Sequence, residues 1–489
     1  GGRFQRGDVI SGGGYLSQAP LSLHFGLGGA KAAGIVRLLW PTGVLQDELD
    51  AAARATLRVD ELDRKGSSCP ILYAWDGTRM RFQADMIGAG VIGQWAGPGA
   101  RNVPDPDEYF LVEGAAPDAQ GRLRFALVEQ MEEVTYLDAA RVLAVDHPRG
   151  VRVFPNERFT GAPPFPAFGV VQLGDPWTPV AAADERGADV TGILRDRDGV
   201  YVRVPRTDLV GFAEPHHVEL DLGPRAANGV ARLVLRGYTE YFYPRTLYAA
   251  AQRGLVPEPP VLEVLREGRW VKAADLGIPA GLPRYMVADL AGVLRPGERR
   301  VRISSNMEVY WDQVLVDDGR SEASVRRTSL RPSQADLRYH GFPRAVRRDP
   351  EAFDFHDAAA TGPYARPAGL YTRYGDVAPL LDDADDRFAI LGPGDAVMLA
   401  FEAADLPPLP DGWERSYFFF AHGYEKDMDD HTAEPLTVDP LPFRSMSAYP
   451  YPAAEAYPSG PGHLRYRLLY NTRRVDRDAW ITPVGGAPR

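Results

Sequence analysis

The amino-acid sequence predicts a mainly β protein of several antiparallel β-sandwich domains, and three observations support this prediction. Hydrophobic and polar residues alternate in short runs, as in TLRVDEL at 56–62, ARLVLRG at 231–237 and RRVRISS at 299–305, which is typical of half-buried strands. Turn dipeptides such as Asp76-Gly77 separate these runs. At 489 residues, the chain has room for about three domains.

Proline clusters and shifts in composition predict five segments along the chain. They are a partial β domain at 1–60, a β-rich region at 61–165, a galactose-binding-like β-sandwich at 166–320, a further β-sandwich at 321–445 and a tail rich in proline and tyrosine at 446–489. The sequence also predicts two short helices, one at 247–253 and one at 463–473 inside the tail, where Leu464, Leu468 and Leu469 have helical spacing.

The composition excludes several classes of protein. The 55 basic and 66 acidic residues give a net charge of −11, which argues against nucleic acid as a partner. A single cysteine, Cys69, cannot form an internal disulfide or a thiolate metal cluster. No apolar stretch approaches the roughly 18 to 20 residues that a membrane-spanning helix needs. We therefore expect no transmembrane segment, and Gly1 opens no signal peptide.

The first fifty residues carry a distinctive set of motifs. The set consists of Gly14-Tyr15-Leu16-Ser17-Gln18, His24-Phe25-Gly26-Leu27-Gly28 and Trp40-Pro41-Thr42-Gly43. It resembles the ASPIC/UnbV family, whose members are similar to cartilage acidic protein, and the match begins inside that family's domain. The remaining residues are similar to the C-terminal extension of some bacterial members. The resemblance implies an exported protein that is secreted, periplasmic or at the cell surface. The calcium-binding propeller repeats that usually precede this domain do not occur here.

The stretch RRVRISSNMEVYWDQVLVD at 299–317 is similar to the closing strands of galactose-binding-like jelly rolls, which many carbohydrate-binding modules use. A sugar site needs an aromatic face and a few planar polar side chains. The candidate ligand-binding residues are Trp311, Asp312, Tyr238, Tyr241 and Tyr243. The alternative is that these aromatic residues pack the core. Tyr310 and Trp311 face opposite sides of a strand, so at most one of them is available to a ligand.

The segment HGYEKDMDDHTAE at 422–434 is the densest polar cluster. Its candidate metal ligands are Glu425, Asp427, Asp429 and Asp430, and Ca²⁺ is the candidate cofactor because it prefers carboxylate oxygens. The spacing departs from a calcium loop, since no glycine lies between the acids. A transition metal held by His422 and His431, or a solvated loop without metal, are the alternatives.

The sequence contains no Gly-x-Ser-x-Gly elbow, phosphate loop or zincin motif. Paired carboxylates for glycoside hydrolysis can be drawn from Glu129, Glu132, Glu133 and Asp138. We therefore expect a non-enzymatic extracytoplasmic protein that binds a glycan or a protein partner at the cell surface through its sandwiches. A carbohydrate-active enzyme and a structural subunit of a surface assembly are the alternatives.

Overall fold

The computed structural model of the chain describes residues 4–9, 21–39, 45–59, 69–240, 242–279, 281–295, 297–320, 324–347, 349–360 and 366–476. Their strands form antiparallel sheets, which confirms the mainly β prediction. Two α-helices among the described residues, α1 (Pro244–Gln252) and α2 (Pro461–Leu469), overlap the helices that the sequence predicts. No helix in the described part of the chain is long and apolar enough to cross a membrane.

The N-terminal part contains one antiparallel hairpin of two strands, β1 (Ala32–Leu39) and β2 (Leu45–Ala52). The alternating residues Leu57 and Val59, which predict a strand, belong to no strand in the structure. Leu57 is 47% exposed. Their alternation therefore does not correspond to a half-buried sheet, and the strand prediction at this position is wrong.

The first sandwich is built from two stretches that lie far apart along the chain. Its earlier strands are β3 (Ile71–Trp75), β4 (Met80–Asp85), β5 (Trp95–Gly97), β6 (Ala100–Arg101), β7 (Asp107–Val112), β8 (Arg122–Val128) and β9 (Glu133–Pro148). The chain then passes through three short strands, β10 (Arg152–Pro155), β11 (Arg158–Phe159) and β12 (Val170–Leu173), before the second sandwich begins.

The second sandwich occupies the middle of the chain. Its strands are β13 (Ala181–Asp184), β14 (Phe212–Asp221), β15 (Arg232–Thr239), β16 (Val261–Arg266), β17 (Arg269–Asp275), β18 (Ile278–Pro279), β19 (Arg284–Asp289), β20 (Arg300–Met307) and β21 (Val309–Asp317). Strands β15 and β20 contain the alternating runs at 231–237 and 299–305, so these two strand predictions are confirmed.

The chain then returns to the first sandwich. The later strands are β22 (Arg326–Leu330), β23 (Gln334–Tyr339), β24 (Phe342–Val346), β25 (Asp349–Ala359), β26 (Gly369–Tyr371), β27 (Gly375–Asp376), β28 (Ala389–Leu391), β29 (Asp395–Glu402), β30 (Trp413–Asp427) and β31 (Arg473–Val475). One sheet has the order β27-β23-β29-β8-β3-β4, and the other has the order β22-β9-β30-β7, with β28 also paired to β9.

The two sheets of the first sandwich share one hydrophobic core. Leu72, Phe125 and Leu399 from the six-stranded sheet pack in the same cluster as Val142 and Phe419 from the other sheet. Each of these side chains is at most 2% exposed, and burial of one such side chain contributes about 1.5–3 kcal/mol. Strands from 61–165 and 321–445 thus pair within the same sheets, while the five-segment division itself stays a prediction.

The second sandwich packs a five-stranded sheet, β13-β14-β20-β16-β17, on a three-stranded sheet, β19-β15-β21. Val218, Leu262 and Ile303 from the first of these sheets meet Leu235 and Trp311 from the second. The strand pairs are nested: β16 pairs with β17, β15 with β19 and β14 with β20. The segment before β13 completes the series through a bridge between Trp177 and Val316 near the end of β21.

A buried arginine joins the two sandwiches. Arg284 of β19 donates to the Asp85 carboxylate at 2.7 Å, donates to Glu157 at 3.2 Å and forms an ion pair with Glu108. The arginine side chain is fully buried, and the three carboxylates are at most 6% exposed. Apolar contacts among Leu111, Phe154, Leu315 and their neighbours continue this junction.

Candidate functional site

The outward face of the five-stranded sheet carries two transverse rows of mostly polar side chains. The core side of β14, β20 and β16 is filled by apolar residues, so alternation places the intervening residues on the outer face. One row consists of Glu219, Arg302, Glu263 and Lys272, and the next consists of His217, Ser304, Val261 and Asp275. Within each row, every residue is paired with the following one on the neighbouring strand. The sheet therefore presents donors and acceptors side by side.

Arg302 and Glu263 form the centre of the first row. The Glu263 carboxylate accepts from Nε and one terminal nitrogen of Arg302, at 2.5 and 3.0 Å, and from the Ser304 hydroxyl. These hydrogen bonds hold the pKa of Glu263 below its usual range, because they stabilise the ionised form. Two bonds from one guanidinium fix the geometry of the pair.

Trp270 lies next to this pair on the neighbouring strand β17. The guanidinium carbon of Arg302 is 4.8 Å from the centroid of the Trp270 ring, within the range of a cation–π contact. Trp270 pairs with Leu265 of β16, and its side chain is half-buried. An aromatic ring therefore flanks the charged centre of the sheet face.

A loop turns this face into a groove of about 530 Å³. Its lining includes Pro257, Glu258 and Pro259 of the loop, together with Arg302 and Ser304 of the sheet. The Asn306 amide donates to the carbonyl of Val256 at 2.9 Å and accepts from the Glu258 N–H at 2.7 Å, and Ser305 donates to the Glu258 carbonyl. Strand β20 thus forms part of the floor of the groove, and its Ser305 and Asn306 side chains hydrogen-bond to the loop at 256–259 that forms the wall. We call this the sheet-face groove.

The groove contains two histidines in different surroundings. The ring Nδ1 of His216 lies 2.9 Å from the Glu214 carbonyl, and burial lowers the pKa of His216. His217 lies 3.6 Å from Glu219 and also faces Glu263. On strand β17, Lys272 of the first row forms an ion pair with Asp275 of the second row at 2.6 Å. Positive and negative side chains alternate along the groove, so its lining does not favour a strongly charged ligand.

The predicted ligand-binding residues lie elsewhere in the second sandwich. Trp311 is 4% exposed and packs in the core. Asp312 is buried, forms an ion pair with Arg236 and accepts from the N–H of Gly199. Neither of these two side chains lines the sheet-face groove.

Tyr238 lies near the end of β15, the central strand of the three-stranded sheet. It is half-buried and stacks on Tyr310, with ring centroids 4.7 Å apart, and its edge meets Tyr201 at 4.8 Å. Tyr243 precedes the first turn of α1 as its N-cap residue. Tyr241 lies outside the described residues. The structure thus shows a cluster of Tyr201, Tyr238 and Tyr310, and ligand binding by the predicted residues stays a prediction.

The predicted metal ligands have separate environments. Glu425 is buried beside the Cys69 thiol, and burial together with the Glu129 charge raises its pKa well above the usual range. Asp427 accepts from the Gln94 amide at 2.9 Å and from the N–H of Asp429.

The other two predicted ligands point to different partners. Burial raises the pKa of Asp429 to about 7, whereas Asp430 forms an ion pair with Arg245 of α1. Across the described ranges, no group of three or more histidine, cysteine or acidic side chains is arranged to hold a metal ion. Calcium at these four positions stays a prediction.

The four acids proposed for glycoside hydrolysis are interior residues. Glu129, Glu132, Glu133 and Asp138 are at most 3% exposed. Glu129 accepts from the Thr135 hydroxyl at 2.6 Å and from the Met131 N–H, and Asp138 accepts from the N–H groups at 386 and 387. None of the four lines the sheet-face groove. Glu129 thus holds the turn between β8 and β9, and Asp138 of β9 holds the backbone that precedes β28.

Sequence reasoning missed the residues of the sheet-face groove. The signal is present in VLEVLREGRWVK at 261–272, two strands joined by a Gly-containing turn. Val261 and Lys272 of this stretch line the groove, and Glu263 and Trp270 lie beside it. The partner residues Arg302 and Ser304 lie thirty or more positions away, so the shared face becomes visible with the strand register.

Comparison with known proteins identifies the N-terminal part of the chain. Residues 1–66 match the family model described as ASPIC and UnbV. No curated protein and no solved structure matches the chain. Of the motif residues, Tyr15 to Gln18 and Trp40 to Gly43 lie outside the described residues, whereas His24 to Gly28 lie within them. The resemblance seen in the sequence is therefore confirmed: residues 1–66 of this chain are similar to the ASPIC and UnbV family.

Proposed function

We propose that the chain is an extracytoplasmic binding protein whose second sandwich binds an uncharged oligosaccharide in the sheet-face groove. The observation that carries this proposal is Arg302 in the lining of the groove. Its guanidinium pairs with Glu263 and contacts the ring of Trp270, and both of these residues lie beside the groove on the same sheet. A guanidinium paired with a carboxylate offers donors and acceptors next to each other, as two neighbouring sugar hydroxyls require. The Trp270 ring and the wall prolines offer apolar surface for the C–H face of a sugar ring.

Pre-organisation of the groove supports binding. Arg302 and Glu263 are held by each other, by Ser304 and by Trp270 before any ligand arrives. Side chains that are already ordered lose less conformational entropy on binding. A volume of about 530 Å³ lies within the usual range for small-ligand sites, about 300–1,000 Å³.

The nested strand order supports a jelly-roll type for the second sandwich, as in galactose-binding-like modules. Three nested strand pairs form one long hairpin rolled over itself, with β16 and β17 at its tip and the bridge between Trp177 and Val316 of β21 at its ends. Lectin domains are among the proteins that use such eight-stranded double sheets. Because one fold hosts many functions, the proposal depends on the groove and not on the fold.

A binding role is favoured over glycoside hydrolysis by the positions of the acids. Hydrolysis requires two carboxyl groups about 5 to 10 Å apart on either side of an accessible bond. The predicted acids are buried in the first sandwich, and Glu263 is committed to Arg302. The ASPIC and UnbV segment at 1–66 supports an exported location, which would bring the groove to extracellular glycans.

The test is a thermal-shift screen of the whole chain against neutral, amino and acidic oligosaccharides, followed by calorimetry. We expect a neutral oligosaccharide to bind, and Arg302→Ala to reduce its affinity at least tenfold because one bidentate partner is lost. Arg300→Ala is the matched control, since Arg300 lies two residues away on β20, pairs with Glu219 at 3.0 Å and is half-exposed. Unchanged affinity in Arg302→Ala, or binding of none of the sugars at millimolar concentrations, would refute the proposal.

A further inference from the structure

A second and larger groove lies on the first sandwich, far along the chain from the sheet-face groove. Its volume is about 770 Å³. The groove is lined by Gly369 of β26, by Arg467 of α2 and by the loop residues Asp439, Tyr451 and Tyr457. We call this the ribbon groove, because strands β26 and β31 form a two-stranded ribbon along it.

Two tyrosine rings in the ribbon groove are held in place by the protein. The Tyr457 hydroxyl donates to the Asp386 carbonyl. The Tyr451 ring meets the edge of Phe443, with centroids 4.9 Å apart. Both side chains are half-buried, so part of each remains in contact with solvent. Fixed aromatic surface of this kind binds the C–H face of a ring with little loss of side-chain entropy.

Two ion pairs and Glu434 supply the charged side chains of the ribbon groove. Arg467 lies 3.6 Å from Asp439, and Arg474 pairs with Asp476 at 2.5 Å. Arg467 and Asp439 are 40% and 55% exposed, which leaves donors and acceptors accessible in the groove. Paired charges of both signs favour an uncharged polar ligand over a strongly charged one.

The wall that carries Asp439 is fixed from beneath by a buried lysine. The Lys426 ammonium is fully buried and donates to the carbonyls of Val438 and Asp439, both at 3.3 Å, and to the Tyr449 hydroxyl at 2.8 Å. Two of these bonds fix the backbone at Val438 and Asp439, and the third fixes the Tyr449 side chain. The groove is therefore built on a rigid support and not on an unsupported loop.

We infer that the ribbon groove is a second carbohydrate-binding site, so that one chain engages two sugar segments at once. The inference rests on the proposed function for its ligand class. Like the sheet-face groove, the ribbon groove combines an aromatic surface with an arginine–carboxylate pair, although the two grooves are formed by different strands. Two sites on one chain raise the effective affinity for a polymer that reaches both grooves.

The experiment is calorimetric titration of the whole chain with the neutral oligosaccharide selected in the screen. We expect two sites per chain. Arg467→Ala and Tyr451→Ala should each abolish binding in the ribbon groove and leave the sheet-face groove intact, whereas Arg302→Ala should leave only the ribbon groove. Arg465→Ala is the matched control, because Arg465 lies on the same helix, is exposed and does not line the groove. Unfolding temperatures of all the variants establish that each one is folded.

The outcomes separate the two claims. One site that is lost in Arg302→Ala and unaffected by Arg467→Ala and Tyr451→Ala overturns the inference and leaves the proposed function standing. One site that is lost in Arg467→Ala and unaffected by Arg302→Ala supports the ribbon groove and overturns the sheet-face groove. No binding in the parent chain overturns both. A stoichiometry of two that falls to one in Arg302→Ala and in Arg467→Ala, and to zero in the variant that carries both substitutions, supports both grooves.

Discussion

At the residue scale, burial decides which of the candidate side chains can meet a ligand. Alternation in the sequence places Tyr310 and Trp311 on opposite faces, as the structure has them, but it does not say which face is the core. Trp311 is the core residue, and Tyr310 stacks on Tyr238 outside. The site that we propose lies on the other sheet, around Arg302, and ligand binding by the predicted aromatic residues stays a prediction.

Burial also makes Glu129 sensitive to pH. Burial raises the pKa of Glu129 to about 8 from an ordinary value of 4.5, although the Thr135 hydroxyl and the Met131 N–H oppose the shift. The folded chain thus holds this proton more tightly than the unfolded chain. Its contribution to stability is complete below pH 4.5 and is lost as the pH rises through 8.

We expect Glu129→Gln to flatten the pH dependence of stability. The free energy of unfolding of the parent chain should fall between pH 4.5 and 8, by an amount on the order of a few kcal/mol per strongly shifted carboxyl. Glutamine resembles the protonated acid and has no charge to desolvate, so the variant should lose less stability over this range. Urea unfolding at several pH values measures the difference. The exposed Glu214→Gln is the control, and equal slopes in all three proteins would contradict this account.

At the element scale, Arg284 on β19 connects the two sandwiches, next to the apolar contacts of Leu111 with the second sandwich. Its guanidinium faces Asp85, Glu108 and Glu157, all buried. Burial raises the pKa of Glu108 to about 7 and that of Glu157 to about 8, and the Arg284 charge lowers both. The arginine therefore supplies the positive charge that allows these carboxyl groups to be buried.

Replacing Arg284 should destabilise the chain strongly. We expect Arg284→Met to cost about 3–5 kcal/mol, because it leaves buried carboxyl groups without their cation. Arg253→Met is the control, since its pair with Asp208 is exposed and such pairs contribute about 0–1 kcal/mol. Urea midpoints of the two variants measure the contrast. Equal midpoints would mean that the Arg284 cluster does not stabilise the junction.

Single elements were predictable where their own sequence carried the signal. Strands β15 and β20 follow the alternation at 231–237 and 299–305, and α1 and α2 overlap the two predicted helices. The strand prediction failed at Leu57 and Val59, where the chain forms no strand and Leu57 is exposed; residues 60–62 of that run lie outside the described residues. Local patterns indicate which residues can form a strand, but a strand also needs a partner.

At the scale of the whole molecule, the strand pairings between distant segments were not predictable. Strand β9 pairs with β22 and β30, which lie about 180 or more residues later in the chain. No local pattern contains information about a partner at that separation. The second sandwich is consequently an insertion between β9 and β22 of the first.

This topology predicts that a single cut inside the second sandwich leaves the chain assembled. An engineered protease site at the exposed Arg186-Gly187 turn would produce two fragments, one carrying β9 and the other carrying β30. Because these strands are neighbours in one sheet, the fragments should elute together in gel filtration and separate in urea. Separate elution under native conditions would contradict the interleaved sheets.

The central claim is that the sheet-face groove holds a sugar, and a crystal structure of the chain with the selected oligosaccharide tests it most directly. The account predicts a sugar in the groove, with its ring against Pro257 and Pro259 and its hydroxyl groups hydrogen-bonded to Arg302 and Ser304. A sugar bound only at other positions, with this groove filled by water, would contradict it.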